Sequence, residues 1–384
     1  YNPKYLNSKN EIIYFDISND DDQKKSIVEL GEKIKTKFDI ENGLLFKIVI
    51  FNLGDSYRWL ITAHHLIMDG ISLRIIINDI EQMLKQFLKG EELKLENKTS
   101  SYAKWSDSLW QLDCDSKSFW DDIFKSKFKF SNDSLNSEVA NISKVNISDS
   151  LDKDNTNLLM TKANVAYGTK ANDLLIAALF MTIKDLTNQN DILISIEGHG
   201  REELFENIDI SQTVGWFTTI YPIRMVLSND SLRDSIIAVK EKLRNLPNNG
   251  LDFFLLKYIK KEIDYSLKDL IRFNFLGSFD EQHKKDNISK LIIQNTGCDS
   301  DVKNSLTCLL DINCIEIKGK LFVYITFDSR QFEKSYIKYF MKRYFEVLKL
   351  IIEHCINKNE TEFTSSDFSE SGLAQEDLDA LFDM

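Results

Sequence analysis

The chain lacks an excess of positive charge. Its 48 lysines and arginines are outnumbered by 60 aspartates and glutamates, which gives a net charge of −12. Proteins that bind nucleic acid neutralise its phosphates with basic patches. The charge balance therefore excludes nucleic acid as an expected partner.

Long hydrophobic runs and export signals are also missing. The longest apolar run, residues 174–181, is far shorter than the roughly 20 residues that span a bilayer. No basic-then-apolar secretion signal begins the chain. The cysteines form no CxxC pair, which favours reduced thiols over disulfides or a zinc site. We expect a cytoplasmic protein without membrane contact. The five cysteines are Cys114, Cys298, Cys308, Cys314 and Cys355.

Two classes of enzyme lack their signatures. No GxSxG sequence is present, so a serine hydrolase has no support. The five histidines and five cysteines never cluster at metal-ligand spacing beyond the adjacent pair His64 and His65. No metal site is therefore expected.

The sequence does contain enough apolar residues for a large core. Hydrophobic residues make up 43% of 384 residues, and this length suits two domains or lobes. Residues 130–157 are rich in Ser, Asn and Asp, which places a lobe boundary there. We predict an N-terminal lobe at 1–155 and a C-terminal lobe at 156–384. Strands alternate with helices in both, which favours an α/β (α+β) fold with a sheet and helices in each lobe.

Hydrophobic periodicity predicts the individual elements. Helices are expected at 24–38, 73–87, 101–110, 118–127, 170–185, 232–246 and 332–356. Strands are expected at 11–17, 44–51, 58–63, 143–147, 191–197, up to 227 and at 271–277, with a hairpin over 307–327. Residues 363–384 form an acidic tail that is expected to be loosely held.

Two imidazoles and a carboxylate fall on one predicted strand-to-helix turn, the segment 64–70 (HHLIMDG). Ser72 is the expected N-cap of the helix, and Gly70 can take a positive φ. A histidine at a strand end can act as a general base if one ring nitrogen faces a cavity. The packing alternative, a histidine pair without a catalytic role, stays open on these residues alone.

A second polar turn, EGHGRE at 197–202, follows the predicted strand 191–197. Its two glycines flank His199, so the backbone can turn sharply there. By itself, such a segment is often only a turn.

Together these motifs resemble a known family. HHxxxDG is the signature of the condensation-domain superfamily of nonribosomal peptide synthetases, which includes the epimerization domains. EGHGRE resembles a diagnostic motif of epimerization domains, where condensation domains have a different sequence. Further segments resemble that group in the same order, from about Arg58 to Asp280. They are KANDLLIAAL at 170–179, TVGWFTTIYP at 213–222, FNFLGSFD at 273–280 and the tail at 364–368.

The resemblance implies two chloramphenicol-acetyltransferase-like lobes with a substrate tunnel between them. It implies inversion of the α-carbon of an aminoacyl or peptidyl thioester. Such a reaction needs a base on one face, an acid on the other and donors near the enolate oxygen. The implied acid/base pair is His65 and Glu197. Which of the two takes the proton of the L isomer stays open.

The resemblance also implies supporting roles. Asp69 would pair with Arg201 and hold the His turn, while a surface ion pair is the alternative. His64 is expected to be packed or hydrogen-bonded and His199 to be structural. Trp216, Asn274 and Phe275 are expected near the substrate, with Gly70 supporting the turn. The resemblance implies no cofactor bound by the chain itself, because the substrate is attached to the 4′-phosphopantetheine of a carrier domain.

The chain departs from the family pattern at several positions. Phe275 stands where the family has Tyr, Leu73 stands where it has Trp, and residues 247–250 keep the PNKG-like motif only in part. The opening motif of the family has no counterpart before Tyr14. We therefore interpret the chain as a piece of a larger synthetase, beside an upstream peptidyl carrier domain and other synthetase domains.

Three functions remain in competition: an epimerase, a condensation domain that joins two carrier-bound substrates, and a non-catalytic carrier-binding module. EGHGRE favours the first function, because amide formation needs no second carboxylate opposite the histidine.

Overall fold

The structure, a computed structural model, describes residues 12–130, 144–279 and 306–368, together with 288, 290, 292, 294–301 and 304. Of the predicted features, the stretch before Ile12, Asp280 of FNFLGSFD and the tail from residue 369 onward lie outside these residues. No helix in the described part is long and apolar enough to cross a membrane.

The chain divides into two compact units that are not continuous in sequence. The first unit consists of the described parts of Tyr1–Tyr102, Ile210–Phe217 and Lys285–Asn304. The second consists of the described parts of Ala103–Asp209, Thr218–Lys284 and Ser305–Met384. The predicted lobe boundary between residues 155 and 156 stays a prediction.

The first unit has a three-stranded sheet. Its elements are β1 (Ile12–Asp16), α1 (Gln23–Lys35), β2 (Phe46–Asn52), β3 (Tyr57–Ala63) and α2 (Gly70–Lys89). The order is β1-β2-β3, with β1 parallel and β3 antiparallel to β2. The core cluster joins α1 to the sheet, because apolar residues recur every three or four positions on the helix and every second position on β2. Its buried members are Ile17, Ile27, Ile34, Val49 and Phe51.

The second unit contains the remaining elements. They are α3 (Tyr102–Gln111, whose first residue belongs to the first unit), α4 (Lys117–Ile123), β4 (Lys144–Ser150), α5 (Lys153–Met160), α6 (Ala171–Thr187), β5 (Asp191–Gly198), β6 (Thr219–Val226), α7 (Leu232–Arg244), α8 (Leu251–Phe254), β7 (Ile271–Ser278), β8 (Leu310–Ile317), β9 (Lys320–Asp328) and α9 (Lys334–Ile356).

The sheet of the second unit has six strands in the order β4-β9-β8-β7-β5-β6. β7 is parallel to both β5 and β8, and the other pairs are antiparallel. The β8–β9 hairpin turns at Lys318 and Gly319, which have φ of 53° and 72°, values that suit the twist of a tight hairpin. The predicted hairpin is confirmed.

α6 confirms the prediction of a buried helix. Eleven of its side chains are buried, including the run Leu174–Phe180. α9 packs against α6, and Tyr344 donates a hydrogen bond of 3.1 Å to the carbonyl of Leu175. A helix that is apolar on nearly all sides belongs in the core of a domain.

Two expectations about local structure were wrong or incomplete. The helix α5 was not predicted, because its polar sequence gives a weak apolar period. The tail was expected to be loose, yet its described start is anchored. Asp367 in the turn Ser365–Phe368 accepts a hydrogen bond of 2.6 Å from Nζ of the buried Lys240.

Candidate active site

The His turn is fixed at the end of β3. The backbone N–H of His64 donates to the carbonyl of Leu45 at 2.8 Å, which continues the β2–β3 ladder by one residue. The carbonyl of His64 then accepts from the N–H of Ile67 at 3.2 Å. These two bonds place His65 at the exposed corner between strand and helix.

Asp69, not Ser72, caps α2. Its backbone is extended, and Oδ1 accepts from the N–H of Ser72 at 2.7 Å. A carboxylate here satisfies an N–H that would otherwise lack a partner in the first turn, and it interacts favourably with the helix dipole. The prediction of Ser72 as N-cap was wrong by three residues. Gly70 begins the helix and does not use a positive φ.

The cap also binds a distant segment of the first unit, residues 215–217. Oδ2 of Asp69 accepts from the N–H of Phe217 at 3.1 Å, and the N–H of Asp69 donates to the carbonyl of Gly215 at 3.1 Å. The buried hydroxyl of Ser72 accepts from the N–H of Gly215 at 3.0 Å. Its oxygen lies 2.8 Å from each of two acceptors, Oδ1 of Asp69 and the carbonyl oxygen of Gly215, so the hydroxyl proton can be donated to either. We call these contacts the Asp69 latch.

The Asp69 latch brings Trp216 to His65. The two ring centroids are 5.1 Å apart with an interplanar angle of 47°. Both side chains are exposed. His64 is held differently, because its Nδ1 accepts from the N–H of Leu66 at 3.2 Å and its ring meets the edge of Phe38. Of the two histidines, His65 has the freer ring.

Tyr102 supports the same segment from the start of α3. Its hydroxyl donates to the carbonyl of Trp216 at 2.8 Å, and its ring packs edge-on against Phe217 at 5.0 Å. Burial, with the charge of Asp69, raises the pKa of Tyr102 above its ordinary value. The hydroxyl therefore stays protonated as a donor. A Cβ on Gly215 would lie 2.3 Å from the Tyr102 ring, so the close packing requires glycine.

Glu197 lies near the end of β5 in the second unit. Asn274 of β7 donates to Oε2 of Glu197 at 2.6 Å, and Nε of Arg272 lies 3.3 Å from Oε1. Both donors lie on one face of β7, because alternate residues of a strand share a face. Side-chain exposure of Glu197 is 18%, so the carboxylate is mostly shielded from water.

The rest of the EGHGRE segment is held by local hydrogen bonds. Nδ1 of His199 accepts from the N–H of Arg201 at 2.9 Å, and it lies 3.6 Å from Oε1 of Glu202. Oε2 of Glu202 accepts from Asn249 at 2.7 Å. Gly200 has a φ of 65°, which favours glycine over other residues. The structural role expected for His199 stays a prediction.

Phe275 follows Asn274 in β7 and pairs with Cys314 of β8. Strand alternation directs its side chain to the face opposite Asn274. The side chain of Phe275 is half-buried. Its predicted place near the substrate stays a prediction.

The predicted site residues divide equally between the two units. The first unit contains His64, His65, Asp69, Gly70 and Trp216. The second unit contains Glu197, His199, Arg201, Asn274 and Phe275. Each of the predicted pairs, His65–Glu197 and Asp69–Arg201, has one residue in the first unit and one in the second. Both pairs stay predictions.

Sequence reasoning named Ser72 only as an N-cap and Gly215 only as a member of TVGWFTTIYP, and it missed Tyr102 and Arg272. The alternation of polar and apolar residues at 271–274 was the available signal for Arg272. Nothing local marked Tyr102. Within the described residues, no group of His, Cys, Asp or Glu could hold a metal ion.

Comparison with known proteins places the chain in a family. The model of the condensation domain matches residues 5–374, so the chain belongs to the condensation domain family. Bacitracin synthase 3 of Bacillus licheniformis is 32% identical over 382 residues, which cover 97% of the chain and 6% of that protein. Gramicidin S synthase 1 of Brevibacillus brevis is 31% identical over 392 residues, 96% of the chain and 36% of that protein. The chain therefore spans about a third or less of these relatives.

Solved structures agree. The epimerization domain from the third module of tyrocidine synthetase B has a TM-score of 0.82 at 28% identity, covering 91% of this chain and 81% of that one. The condensation enzyme VibH has a TM-score of 0.63 at 14% identity, covering 90% and 80%, which shows the fold alone. The expected fold of chloramphenicol-acetyltransferase-like lobes is confirmed.

Proposed function

We propose that the chain is the epimerization domain of a nonribosomal peptide synthetase. It interconverts the L and D configurations at the α-carbon of an aminoacyl or peptidyl thioester. The substrate hangs from the phosphopantetheine arm of an upstream peptidyl carrier domain, so the chain needs no cofactor of its own. The observation that carries this proposal is the carboxylate of Glu197, held by Asn274 and Arg272 near the end of β5 within EGHGRE.

The chemistry requires two proton transfers. The base takes the α-proton, and the electron pair of the broken C–H bond delocalises into the thioester carbonyl. The acid then gives a proton to the opposite face of the carbon, so the substrate is neither oxidised nor reduced. His65 and Glu197 are the proposed pair. Because the reaction is reversible, the residue that is the base in one direction is the acid in the other.

Two further observations support the epimerase over a condensation domain. The similarity to an epimerization domain reaches 28% identity, whereas the similarity to VibH is 14%. Amide formation between two carrier-bound substrates needs His65 but no carboxylate on the opposite face of the substrate. A held carboxylate such as Glu197 has no required part in amide formation.

A condensation domain is the second candidate, favoured by the family match and by the backbone bonds that fix the His turn. In that reaction His65 would position or deprotonate the attacking amine, and a second carrier would bring the acceptor. The two candidates differ in whether the α-proton leaves the substrate.

Deuterium exchange separates them. A carrier domain charged with single L-amino acids is incubated with the chain in deuterated water, and the released amino acid is analysed by mass and chirality. Deuterium at Cα in a mixture of D and L products supports the epimerase. Dipeptide on a second carrier without Cα exchange would establish condensation instead. Carrier binding with neither product would leave a non-catalytic module.

A further inference from the structure

Arg272 makes contacts that the proposed acid/base chemistry does not yet use. Its guanidinium binds Asp311 of β8 through two nitrogens, with Nε to Oδ1 at 3.0 Å and Nη2 to Oδ2 at 2.9 Å. Nη1 donates to the hydroxyl of Thr307 at 3.0 Å. Nε also lies 3.3 Å from Oε1 of Glu197. All three guanidinium nitrogens are therefore engaged.

The paired geometry fixes the plane of the guanidinium. A bidentate contact between arginine and a carboxylate allows little rotation, since both N–H···O bonds must stay aligned. The single Nε–H is donated to Asp311, so the 3.3 Å contact of Nε with Oε1 of Glu197 is an ion pair without a hydrogen bond. Arg272 thus links Asp311 on β8 to Glu197 near the end of β5, and its contacts with Asp311 fix the position of its charge beside Glu197.

The carboxylate of Glu197 is held at both oxygens by one strand. Asn274 binds Oε2 and Arg272 lies against Oε1. These two residues are neighbours on one face of β7. A hydrogen bond at Oε2 and a fixed positive charge beside Oε1 restrict rotation of the carboxylate about its last bond.

The charges around Glu197 are stable over a wide pH range. Burial lowers the pKa of Arg272, but the hydrogen bond and charge of Asp311 and the charge of Glu197 outweigh it, so the net pKa is raised. The nearby thiol of Cys308 has its pKa raised to about 12, first by burial. Arg272 therefore stays charged and Cys308 stays neutral.

We propose that Arg272 is a positioning residue that, clamped by Asp311, orients the Glu197 carboxylate for proton transfer at the α-carbon. This inference rests on the proposed epimerase function. A simple cross-strand ion pair would stabilise the sheet without affecting catalysis. A positioning residue affects the chemical step more than substrate binding, because the substrate is held elsewhere.

The test measures L-to-D inversion of the carrier-bound aminoacyl thioester that the wild-type chain inverts fastest. Arg272→Met removes the guanidinium and keeps the bulk. We expect kcat to fall by roughly tenfold to a hundredfold, with KM within about twofold of wild type. Asp311→Asn, which loosens the clamp, should lower kcat less. Arg272→Lys restores the charge but not the bidentate contact, so it should recover part of the rate.

The chain offers a matched control in the same sheet. Arg224 of β6 binds Asp191, the first residue of β5, with Nε to Oδ1 at 2.8 Å and Nη2 to Oδ2 at 2.9 Å. Arg224→Met breaks an equivalent pair at the other end of β5 and should leave kcat within about twofold.

The outcomes are distinct. Three results would overturn the positioning role: inversion by Arg272→Met at the wild-type rate, a loss seen only in KM, or an equal loss of kcat in Arg224→Met. If Arg272→Met does not fold, Arg272→Lys at the full wild-type kcat would do the same, because it lacks the clamp. A wild-type chain with no Cα exchange would remove the proposed function together with this inference.

Discussion

The backbone N–H of Phe217 donates a hydrogen bond of 3.1 Å to Oδ2 of Asp69, across 148 residues of sequence. Through this bond the aspartate of the HHLIMDG turn is both the cap of α2 and the attachment point of the segment that carries Trp216. The aspartate of this signature therefore has a structural task within the first unit. The geometry at His65 depends on it.

Substitution of the proposed acid/base pair tests the mechanism. His65→Ala and Glu197→Gln should each lower L-to-D inversion by about a hundredfold or more, because inversion needs a proton transfer on each face of the carbon. Circular dichroism should show that both variants remain folded, since His65 is exposed and glutamine has the size of Glu197. His354→Ala, in a different part of the second unit, serves as the control and should keep its inversion rate. Inversion at the wild-type rate in either test variant would remove that residue from the mechanism.

Ser72→Ala should weaken the Asp69 latch. The change deletes the acceptor of the Gly215 N–H, a buried donor, at a cost of about 1–3 kcal/mol. Urea unfolding followed by tryptophan fluorescence measures the difference. Ser108→Ala removes an exposed hydroxyl that donates to the carbonyl of Lys104, and it should change stability by less than about 0.5 kcal/mol. Equal midpoints for the two variants would contradict the role of Ser72.

Two glycines of the His turn region should respond oppositely to alanine. In Gly215→Ala the new Cβ would lie 2.3 Å from the ring of Tyr102, so the ring must move, at about 1–3 kcal/mol. A Cβ at Gly70 meets nothing within 4 Å, and its φ is not positive. Gly70→Ala should therefore be neutral or stabilise by up to about 1 kcal/mol. Thermal unfolding of both variants distinguishes them, and similar losses would argue against close packing at Gly215.

Asp367→Asn tests the anchor of the C-terminal segment. Lys240 is only 1% exposed, and its Nζ contacts Asp367 at 2.6 Å and the carbonyl of Tyr167 at 2.7 Å. Loss of the carboxylate leaves a buried ammonium without its counter-charge, which costs about 3–5 kcal/mol. The control Asp230→Asn removes an exposed partner of Lys184 and should cost less than about 1 kcal/mol. Denaturant midpoints of the two variants provide the comparison; a small effect at Asp367 would refute the anchor.

His354 should make stability depend on pH. Burial, with the charge of Lys358, lowers its pKa from the ordinary 6.5, while Glu362 opposes the shift. The unfolded chain then binds a proton at higher pH than the folded chain. Stability is present above pH 6.5 and is lost as the pH falls from there through the folded pKa. The neutral ring shares a hydrogen bond of 2.7 Å with the hydroxyl of Tyr167.

The variant His354→Gln cannot titrate, so it isolates this effect. Urea midpoints measured between about pH 7.5 and about pH 5.5, the range in which histidine titrates, should fall less for the variant than for wild type. An identical fall in both proteins would show that other groups cause the acid sensitivity.

Local patterns predicted most elements. β2, β3, α6 and the β8–β9 hairpin were predicted close to their observed ends, because each has a clear period or a strong turn. The cap of α2 was misplaced by three residues, because Asp69 and Ser72 are both good caps and only the backbone decides between them. α5 was missed, since its polar sequence has a weak apolar period, although Asp152 caps the helix by accepting from the N–H of Asn155 at 2.9 Å.

The predictions for the site residues also succeeded where the signal was local and failed where it was long-range. His65 and Glu197 were each predicted at a place where a strand ends in a turn, since strand period and turn residues are local. The contact of Phe217 with Asp69, and the contacts of Arg272 with Asp311 and Glu197, could be found only in the folded chain. These partners are far apart in the chain, and the order and register of strands that bring them together depend on the packing of the whole unit, which no local pattern records.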